Sequence, residues 1–277
     1  MAGIPRRRLD ELVVDRGLAD SRSRAHSLIM AGLVSVDGVM RDKPGTPVPV
    51  TATLALKKRP RFVSRAGEKL AHGLDTFGID VAGVSALDVG ASTGGFVDCL
   101  LQRGAYSVIA VDVGRGQLDE RLRQDARVHV LDRLNARYLT PEQLPFVPDA
   151  LTMDVSFISV EKVLPAVVSC MCESFWGLVL VKPQFEAGPE RVGRGGIVRD
   201  PDVHRDVLTS VASFAQTRLG LDVLGVSDSG LPGADGNVEF LLHLSRGGEK
   251  GLGLDTLSTV VGETLRALQN PTDGGRT

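Results

Sequence analysis

The sequence predicts an α/β protein: a seven-stranded, doubly wound sheet whose last strand runs antiparallel, preceded by a small α+β module. Three observations carry this expectation. From about residue 84, short runs of Val, Leu, Ile and Ala alternate with amphipathic segments, the pattern of strands joined by crossover helices. The first run, Ala86-Leu87-Asp88-Val89, turns through Gly90-Ala91-Ser92-Thr93-Gly94-Gly95 into Phe96. Such small residues let a backbone approach a ligand at the carboxyl edge of a parallel sheet. Before residue 60, helix-like spacing gives way to the strict alternation of Val34-Ser35-Val36 and an Asp37-Gly38 turn, a hairpin signal.

Composition bounds the rest. A chain of 277 residues holds one large domain or two smaller ones, and 43% hydrophobic residues supply a core. With aromatics at 4%, that core is made of Val, Leu, Ala and Ile. No apolar run approaches the roughly 20 residues of a membrane-spanning helix. The start, Met-Ala-Gly-Ile-Pro-Arg-Arg-Arg, has no apolar stretch behind its arginines, so no secretory signal is read. Three cysteines, Cys99, Cys170 and Cys172, fit a reducing, cytoplasmic setting. Cys170 and Cys172 lack neighbouring His or Cys partners and are expected as ordinary helix residues, with no metal site. Charge is asymmetric: residues 1–69 hold 14 Lys/Arg against 7 Asp/Glu, and residues 70–277 hold 18 against 27. A basic first quarter on an acidic body suits either a module for polyanions or a solvated basic face.

In chain order, residues 6–17 are expected as a helix stopped at Gly17, with Leu9, Leu12 and Val13 at helical spacing. Asp20 or Ser21 caps a second helix carrying Ala25, Leu28 and Ile29 and stopping near Gly32. The hairpin follows, and Val48 and Leu54–Leu56 return as further strands. Arg8-Leu9-Asp10, Ser21-Arg22, Ala25, Leu28-Ile29, Gly32, Val34, Val36-Asp37-Gly38 and Lys43-Pro44 together resemble the RNA-binding domain first described in ribosomal protein S4. The resemblance runs from about residue 5 to 56 and implies that Arg6, Arg7, Arg8, Arg22, Arg24 and Lys43 lie near RNA phosphates.

The domains are read as 1–58, a basic linker at 59–64 interrupted by Pro60, a second domain at 65–270 and a disordered tail at 271–277. Ser64 is expected to cap a helix from Arg65 to Phe77, with Lys69 in its first turns. Strands are expected at 84–89, 106–111, 127–131, 149–154, 177–182, 222–227 and 237–244. Helices are expected at 95–103, 117–124, 160–173, 202–218 and 255–268. The Gly233-Ala234-Asp235-Gly236 turn precedes the final strand and is what suggests its reversal.

The glycine-rich loop departs from the dinucleotide fingerprint: Ser92 stands where close approach to a pyrophosphate needs glycine. Asp88 is placed to organise that loop and a ligand's amino group. Asp112, ending the second strand, suits ribose hydroxyls, and Asp132, ending the third, suits an adenine amino group. This carboxylate-rich, arginine-poor rim fits a phosphate-free adenosyl ligand, S-adenosylmethionine, better than a nicotinamide dinucleotide. Gly90, Ala91, Ser92, Gly94, Gly95, Phe96 and Asp154 complete the expected cofactor contacts. Asp154 ends the fourth strand, Lys182 ends the fifth, Glu239 lies inside the last and Lys69 precedes the first. Lysines and carboxylates at the ends of apolar strands are costly to desolvate unless paired. They form either a structural ion pair or the machinery for taking a proton from a weak nucleophile such as a ribose 2′-hydroxyl.

Lys69, Asp154, Lys182 and Glu239, in that order around such a sheet, resemble the Lys-Asp-Lys-Glu tetrad of FtsJ-type RNA 2′-O-methyltransferases. Joined to the S4-like domain, the chain resembles the TlyA family over residues 5–270. The junction Arg59-Pro60-Arg61-Phe62-Val63-Ser64-Arg65-Ala66-Gly67-Glu68-Lys69-Leu70 and the element Gly195-Gly196-Ile197-Val198-Arg199-Asp200 carry this. The junction lacks the tryptophan of some members. The resemblance implies a Rossmann-like class I methyltransferase fold using S-adenosylmethionine on a cytidine ribose of small-subunit ribosomal RNA, with large-subunit RNA as a further candidate. Lys182 is then the base, tuned by Asp154 and Lys69, and Glu239 completes the network. Arg61 and Arg65 join the RNA contacts, and a monomer working on ribosomal subunits without stable membrane association is expected. Because the family name also carries haemolysin, a membrane-active protein is a second reading. A non-catalytic ribosome-assembly factor is a third.

Overall fold

The computed structural model describes residues 4–57, 60–248 and 250–269, and the chain divides into two units, Met1–Pro60 and Arg61–Thr277. The expected tail at 271–277 and Arg59 of the expected linker lie outside the described residues.

The first unit comprises β1 (Arg6–Arg8), α1 (Leu9–Asp15), α2 (Arg22–Met30), β2 (Val34–Val36), β3 (Val39–Arg41), β4 (Pro47–Pro49) and β5 (Leu54–Leu56). Leu9, Leu12 and Val13 of α1 meet Ala25, Leu28 and Ile29 of α2 over Val34, Val36 and Val48. The Ser21 hydroxyl accepts a hydrogen bond from the Arg24 amide and caps α2. Asp37 and Gly38 both take positive φ and turn β2 into β3, and β5 pairs with the other edge of β2. One expectation is corrected: residues 6–8 are not the start of a helix. They pair antiparallel with Pro47–Pro49, so tertiary strand pairing overrides the helical spacing, and α1 begins at Leu9.

The second unit comprises α3 (Ala66–Phe77), β6 (Ser85–Val89), α4 (Gly95–Gln102), β7 (Ser107–Asp112), α5 (Glu120–Arg123), β8 (Val128–Asp132), β9 (Ala150–Met153), α6 (Val160–Ser169), β10 (Phe175–Val181), α7 (Pro183–Glu186), α8 (Pro201–Leu219), β11 (Asp222–Asp228), β12 (Phe240–Arg246) and α9 (Leu254–Gln269). Seven strands form one sheet in the order β11-β12-β10-β9-β6-β7-β8. β12 runs antiparallel to both neighbours, and the pairs from β10 to β8 are parallel. Alternate residues of each strand serve opposite faces. Ala86, Val108, Ala110, Ala150 and Leu178 pack with α3 and α4. Leu87, Ile109, Leu151, Met153 and Val179 pack with α6, α8 and α9. Both faces are thus covered, as a parallel sheet requires.

Several boundaries move. Glu239 is not inside the last strand but immediately before it, because β12 starts at Phe240. Asp154 and Lys182 likewise follow β9 and β10 rather than end them. Cys170 and Cys172 lie beyond the end of α6, in the turn leading to β10. Ser64 does not cap α3 through its side chain; Arg65 is the N-cap and the hydroxyl faces the start of α4. The expected 117–124 helix shrinks to Glu120–Arg123, because Asp119 takes the capping position.

Gly90 shows why the loop after β6 needs glycine. It has φ +84°, and a Cβ there would stand 2.3 Å from the Asp154 carbonyl oxygen. Gly116 has φ +62° but open space around it. In urea titrations, Gly116→Ala should cost about 1 kcal/mol, the cost of the left-handed backbone, whereas Gly90→Ala should cost at least about 2 kcal/mol. Equal losses would contradict the close packing of these two loops.

Candidate active site

Register brings the site together. Val89 of β6 lies level with Val111 of β7 and Met153 of β9, so Gly90, Asp112 and Asp154 emerge at one sheet edge. Val181 pairs with Phe240, so Lys182 and Glu239, one residue further on each strand, leave the same edge as neighbours. This edge lies beside the reversal of strand order at β6, where open α/β sheets bind ligands.

A cavity of about 490 Å³ opens there, among the loops after β6, β7, β8 and β9. Val89, Val111, Val113, Leu134, Ile158 and Val163 give it apolar walls, and Asp112, Asp154, Ser92, Gln117, Asn135 and Ser156 supply polar groups. Its lining carries no lysine or arginine, so it suits a cationic or neutral ligand without phosphates. The Asp112 carboxylate is fixed at the rim by the Ser92 and Gly114 amides, each donating at 2.7 Å. A smaller cavity of about 100 Å³ adjoins Gly90, Ala91, Ser92, Phe96 and Asp154 and is closed by Ser64 and Ala66 at the start of α3. Gly94 (φ +95°) and Gly95 lie behind it: a Cβ on Gly95 would stand 2.2 Å from Ser64 Oγ.

Two expected cofactor residues, Asp88 and Asp132, lie outside the lining of both cavities. Asp88 is fully buried and lines neither cavity. It stands opposite Thr152 on the neighbouring strand, whose hydroxyl donates to Asp88 Oδ1 at 2.7 Å. Asp88 therefore braces two strands. Asp132 lies outside the cavity lining, holding Arg123 at 3.2 Å and the Gly116 amide at 3.1 Å.

The four expected catalytic residues form two ion pairs. Lys69 Nζ donates to Glu239 Oε2 at 2.5 Å, with both side chains buried. Lys182 Nζ lies 2.6 Å from Asp154 Oδ1, outside hydrogen-bonding direction, and donates instead to Ser156 Oγ at 2.8 Å. The arrangement can hold two amines next to carboxylates at the edge of an apolar sheet and move a proton there. Among the described residues, no group of three or more His, Cys, Asp or Glu is placed to hold a metal ion.

Sequence reasoning missed several residues. Ser156 is one, a partner for Lys182. Another is Asn237, which is buried, accepts from the Val198 amide at 2.9 Å and donates to the Gly196 carbonyl at 2.9 Å. It ties the Gly195–Asp200 element to the segment entering Glu239. The third is Phe157, which is 91% exposed at φ +63° and stands 5.1 Å from the Phe185 ring. Exposed aromatics in left-handed backbone are rare and concentrate at functional sites.

The expected RNA contacts fall in both units. Arg6 donates to the Pro47 carbonyl, Arg7 pairs with Asp15 and Glu11, and Arg8 and Arg22 bind Asp10. Arg24 and Lys43 are exposed, without side-chain partners among the described residues. In the second unit, Arg61 lies over the Phe62 ring and Arg65 donates to the Pro232 carbonyl at 2.7 Å.

Comparison with known proteins agrees with this geometry. Residues 62–246 match the FtsJ-like methyltransferase family, and residues 7–54 match the S4 domain. The chain belongs to the FtsJ-like methyltransferase family. It is 46% identical over 258 residues to the 16S/23S rRNA (cytidine-2′-O)-methyltransferase TlyA of Mycobacterium tuberculosis, covering 92% of this chain and 96% of that protein. It is 40% identical over 237 residues to Hemolysin A of Brachyspira hyodysenteriae, covering 85% of this chain and 98% of that one. A solved structure of a hemolysin-like protein from Streptococcus thermophilus superposes with a TM-score of 0.72 at 39% identity, covering 97% of this chain and 99% of the other. The TlyA resemblance therefore holds across both units. No helix among the described residues is long and apolar enough to cross a membrane.

Burial raises the Asp88 carboxyl to about 7, helped by the charges of Asp154 and Asp112 and opposed by the Thr152 hydrogen bond. An unfolded aspartate titrates near 3.8. Between these values the folded chain holds a proton that the unfolded chain has lost, so this group's contribution to stability falls as pH rises from about 4 to about 7. Asp88→Asn keeps the acceptor for Thr152 and should remove that decline. Denaturant midpoints from pH 4 to 8 check it; an unchanged slope would contradict a protonated, buried Asp88.

Proposed function

We propose that this chain methylates the 2′-hydroxyl of a cytidine in ribosomal RNA, using S-adenosylmethionine. The observation that carries the reading is the pair of lysine–carboxylate contacts at one sheet edge, beside a cavity free of lysine and arginine. The cavity fits the cofactor: apolar walls suit an adenine ring, Asp112 suits ribose hydroxyls, and acidic, phosphate-free surroundings suit a sulfonium. When bound, S-adenosylmethionine would supply an electrophilic methyl group whose carbon–sulfur bond breaks in the transfer, the electron pair staying on sulfur as a neutral thioether. The names of the relatives support ribosomal RNA as substrate and cytidine ribose as target.

Each residue then has a task. Lys182, in its amine form, accepts the proton of the 2′-hydroxyl as the oxygen bonds to the methyl carbon. Asp154 faces the ammonium so formed and stabilises it, while Ser156 fixes the direction of the Nζ. Lys69 and Glu239 form the neighbouring pair, which keeps net charge at the edge near zero. Gly90 lets the Asp154 loop close against the cofactor loop. The Phe157 ring, exposed beside Phe185, offers a face on which an unstacked base can lie. The basic first unit supplies phosphate contacts to structured RNA. The work is expected in the cytoplasm, on ribosomal subunits, by a monomer.

Labelled S-adenosylmethionine tests this with unmodified naked ribosomal RNA, small subunits, large subunits and intact ribosomes. Label in a cytidine dinucleotide that resists alkaline hydrolysis is the expected product, because a 2′-O-methyl group blocks cleavage. Phe157→Ala should raise KM for the accepting particle or lower kcat about 5-fold or more, from the loss of about 1–3 kcal/mol of stacking. Absence of label from all four substrates despite cofactor binding would overturn the reading and favour a non-catalytic assembly factor.

A further inference from the structure

The loop between β9 and α6, residues 154–159, delivers three groups to the site: Asp154, Ser156 and the exposed Phe157. Phe157 sits in left-handed backbone with its ring in solvent, so burial does not hold it there. Such a conformation persists only where its surroundings over-determine it. Against this loop lies α7, a single turn of helix whose N-cap is Lys182. One turn is too short to be stable by itself and takes its direction from what it touches. Among the described residues, no backbone hydrogen bond joins the loop to α7. Side chains join them.

They do so in matching order. Lys182 Nζ donates to Ser156 Oγ at 2.8 Å and lies 2.6 Å from Asp154 Oδ1. The Phe185 ring stands 5.1 Å from the Phe157 ring. Glu186, the last residue of α7, accepts the Val160 amide on Oε1 at 2.7 Å and also bonds the Ser159 hydroxyl. This last contact is more than a local cap. Ser159 already caps α6 by accepting from the Glu161 amide at 3.2 Å. Glu186 comes from 26 residues further along the chain and takes the amide left over at the first helical position. Burial pushes its carboxyl above the ordinary glutamate value, opposed by the Ser159 and Val160 hydrogen bonds, and the charges of Glu161 and Lys162 on α6 act in opposite directions. A carboxylate so withdrawn from water is costly unless it is hydrogen-bonded, which ties Glu186 to this one place.

We propose that Glu186 is a positioning residue for methyl transfer: it clasps the start of α6 to the end of α7 and so keeps Ser156 and Phe157 in line with Lys182 and Phe185. The proposal rests on the catalytic reading, in which Lys182 accepts the proton. Glu186 lines neither cavity, so its effect passes through the loop and α7. Val160 opens a helix whose Val163, Leu164 and Val167 are packed in the core, so the clasp ties α7 to a fixed element. Releasing it lets the loop and α7 shift independently, and the direction of the Lys182 Nζ is lost with them. A small misplacement of a reacting group costs rate rather than binding.

Full-length Glu186 variants test this by single-turnover methyl transfer to the ribosomal substrate that the wild-type chain modifies, at saturating S-adenosylmethionine. Glu186→Gln keeps the reach and the acceptor without the charge, whereas Glu186→Asp keeps the charge and loses the reach. Glu186→Asp and Glu186→Ala should each slow transfer about 10-fold or more, with KM for the accepting particle within about 3-fold of wild type. Glu186→Gln should recover most of the rate. In a Ser156→Ala background, Glu186→Ala should cost only about 3-fold or less, because both changes act on one alignment. Circular dichroism and the turnover amplitude report whether each variant is folded; if Glu186→Ala does not fold, the comparison of Glu186→Asp with Glu186→Gln decides. A wild-type rate for Glu186→Asp, a rate for Glu186→Gln as low as for Glu186→Asp, a change confined to KM, or equal losses in both backgrounds would each overturn the clasp and leave a helix cap. A wild-type chain that methylates no ribosomal substrate is a separate result, against the catalytic reading, and the clasp falls with it.

Discussion

Strand register is the constraint on which the site depends. Because Val89, Val111 and Met153 lie level, and Val181 lies opposite Phe240, side chains distant in sequence leave the sheet at one edge. Glu239 reaches it only because β12 is reversed: the residue before an antiparallel strand lies where the residue after a parallel strand does. A one-residue slip of β12 would move Glu239 from Lys182's side and turn Leu241 and Leu242 to the wrong faces. The apolar core thus fixes the positions of four charged groups that could not hold themselves together.

Those groups resolve into two neutral pairs rather than one cluster of four charges. Pairing removes most of the penalty of placing ammonium and carboxylate groups at a buried edge. It also leaves Lys182 with two kinds of partner, a carboxylate for its charged form and a hydroxyl that sets its direction. One carboxylate that lines neither cavity, Asp88, is handled differently. It is buried, bonded to Thr152 and pushed toward its protonated form. Asp10 in the first unit shows the opposite solution, a buried carboxylate kept ionised by the cations around it. Two buried carboxylates, Asp88 and Asp10, thus shift in opposite directions: burial dominates at the first and cationic partners at the second.

Most of the fold was legible because its signals are local. The apolar runs of the sheet, the Asp37-Gly38 hairpin and the Ser21 cap each carry their own period or turn chemistry. The misread elements were those decided by distant pairing. Arg6–Arg8 have helical spacing but pair with Pro47–Pro49, and Cys170 falls beyond a helix whose apolar pattern continues past its end. Three of the four candidate catalytic residues could be named from their positions at strand ends, and Lys69, on α3, from its place in the junction before the first strand. Their division into Lys69–Glu239 and Lys182–Asp154 could not, since side-chain pairing depends on approach angles that spacing does not encode. The burial of Asp88 was not legible for a related reason: its place before the glycine loop could be read, but the partner it meets follows from the level of Thr152 on the neighbouring strand. Phe157 carried a weak signal, an aromatic within a polar loop, and only its exposure and backbone marked it out.

The central claim is that Lys182 takes the proton during methyl transfer. Single-turnover transfer by Lys182→Ala, with S-adenosylmethionine affinity measured calorimetrically on the same protein, tests it most directly. The account predicts a transfer rate reduced about 100-fold or more, the usual scale of general-base catalysis, with cofactor affinity within about 3-fold of wild type. A near-normal rate would contradict it and return Lys182 and Asp154 to a structural ion pair.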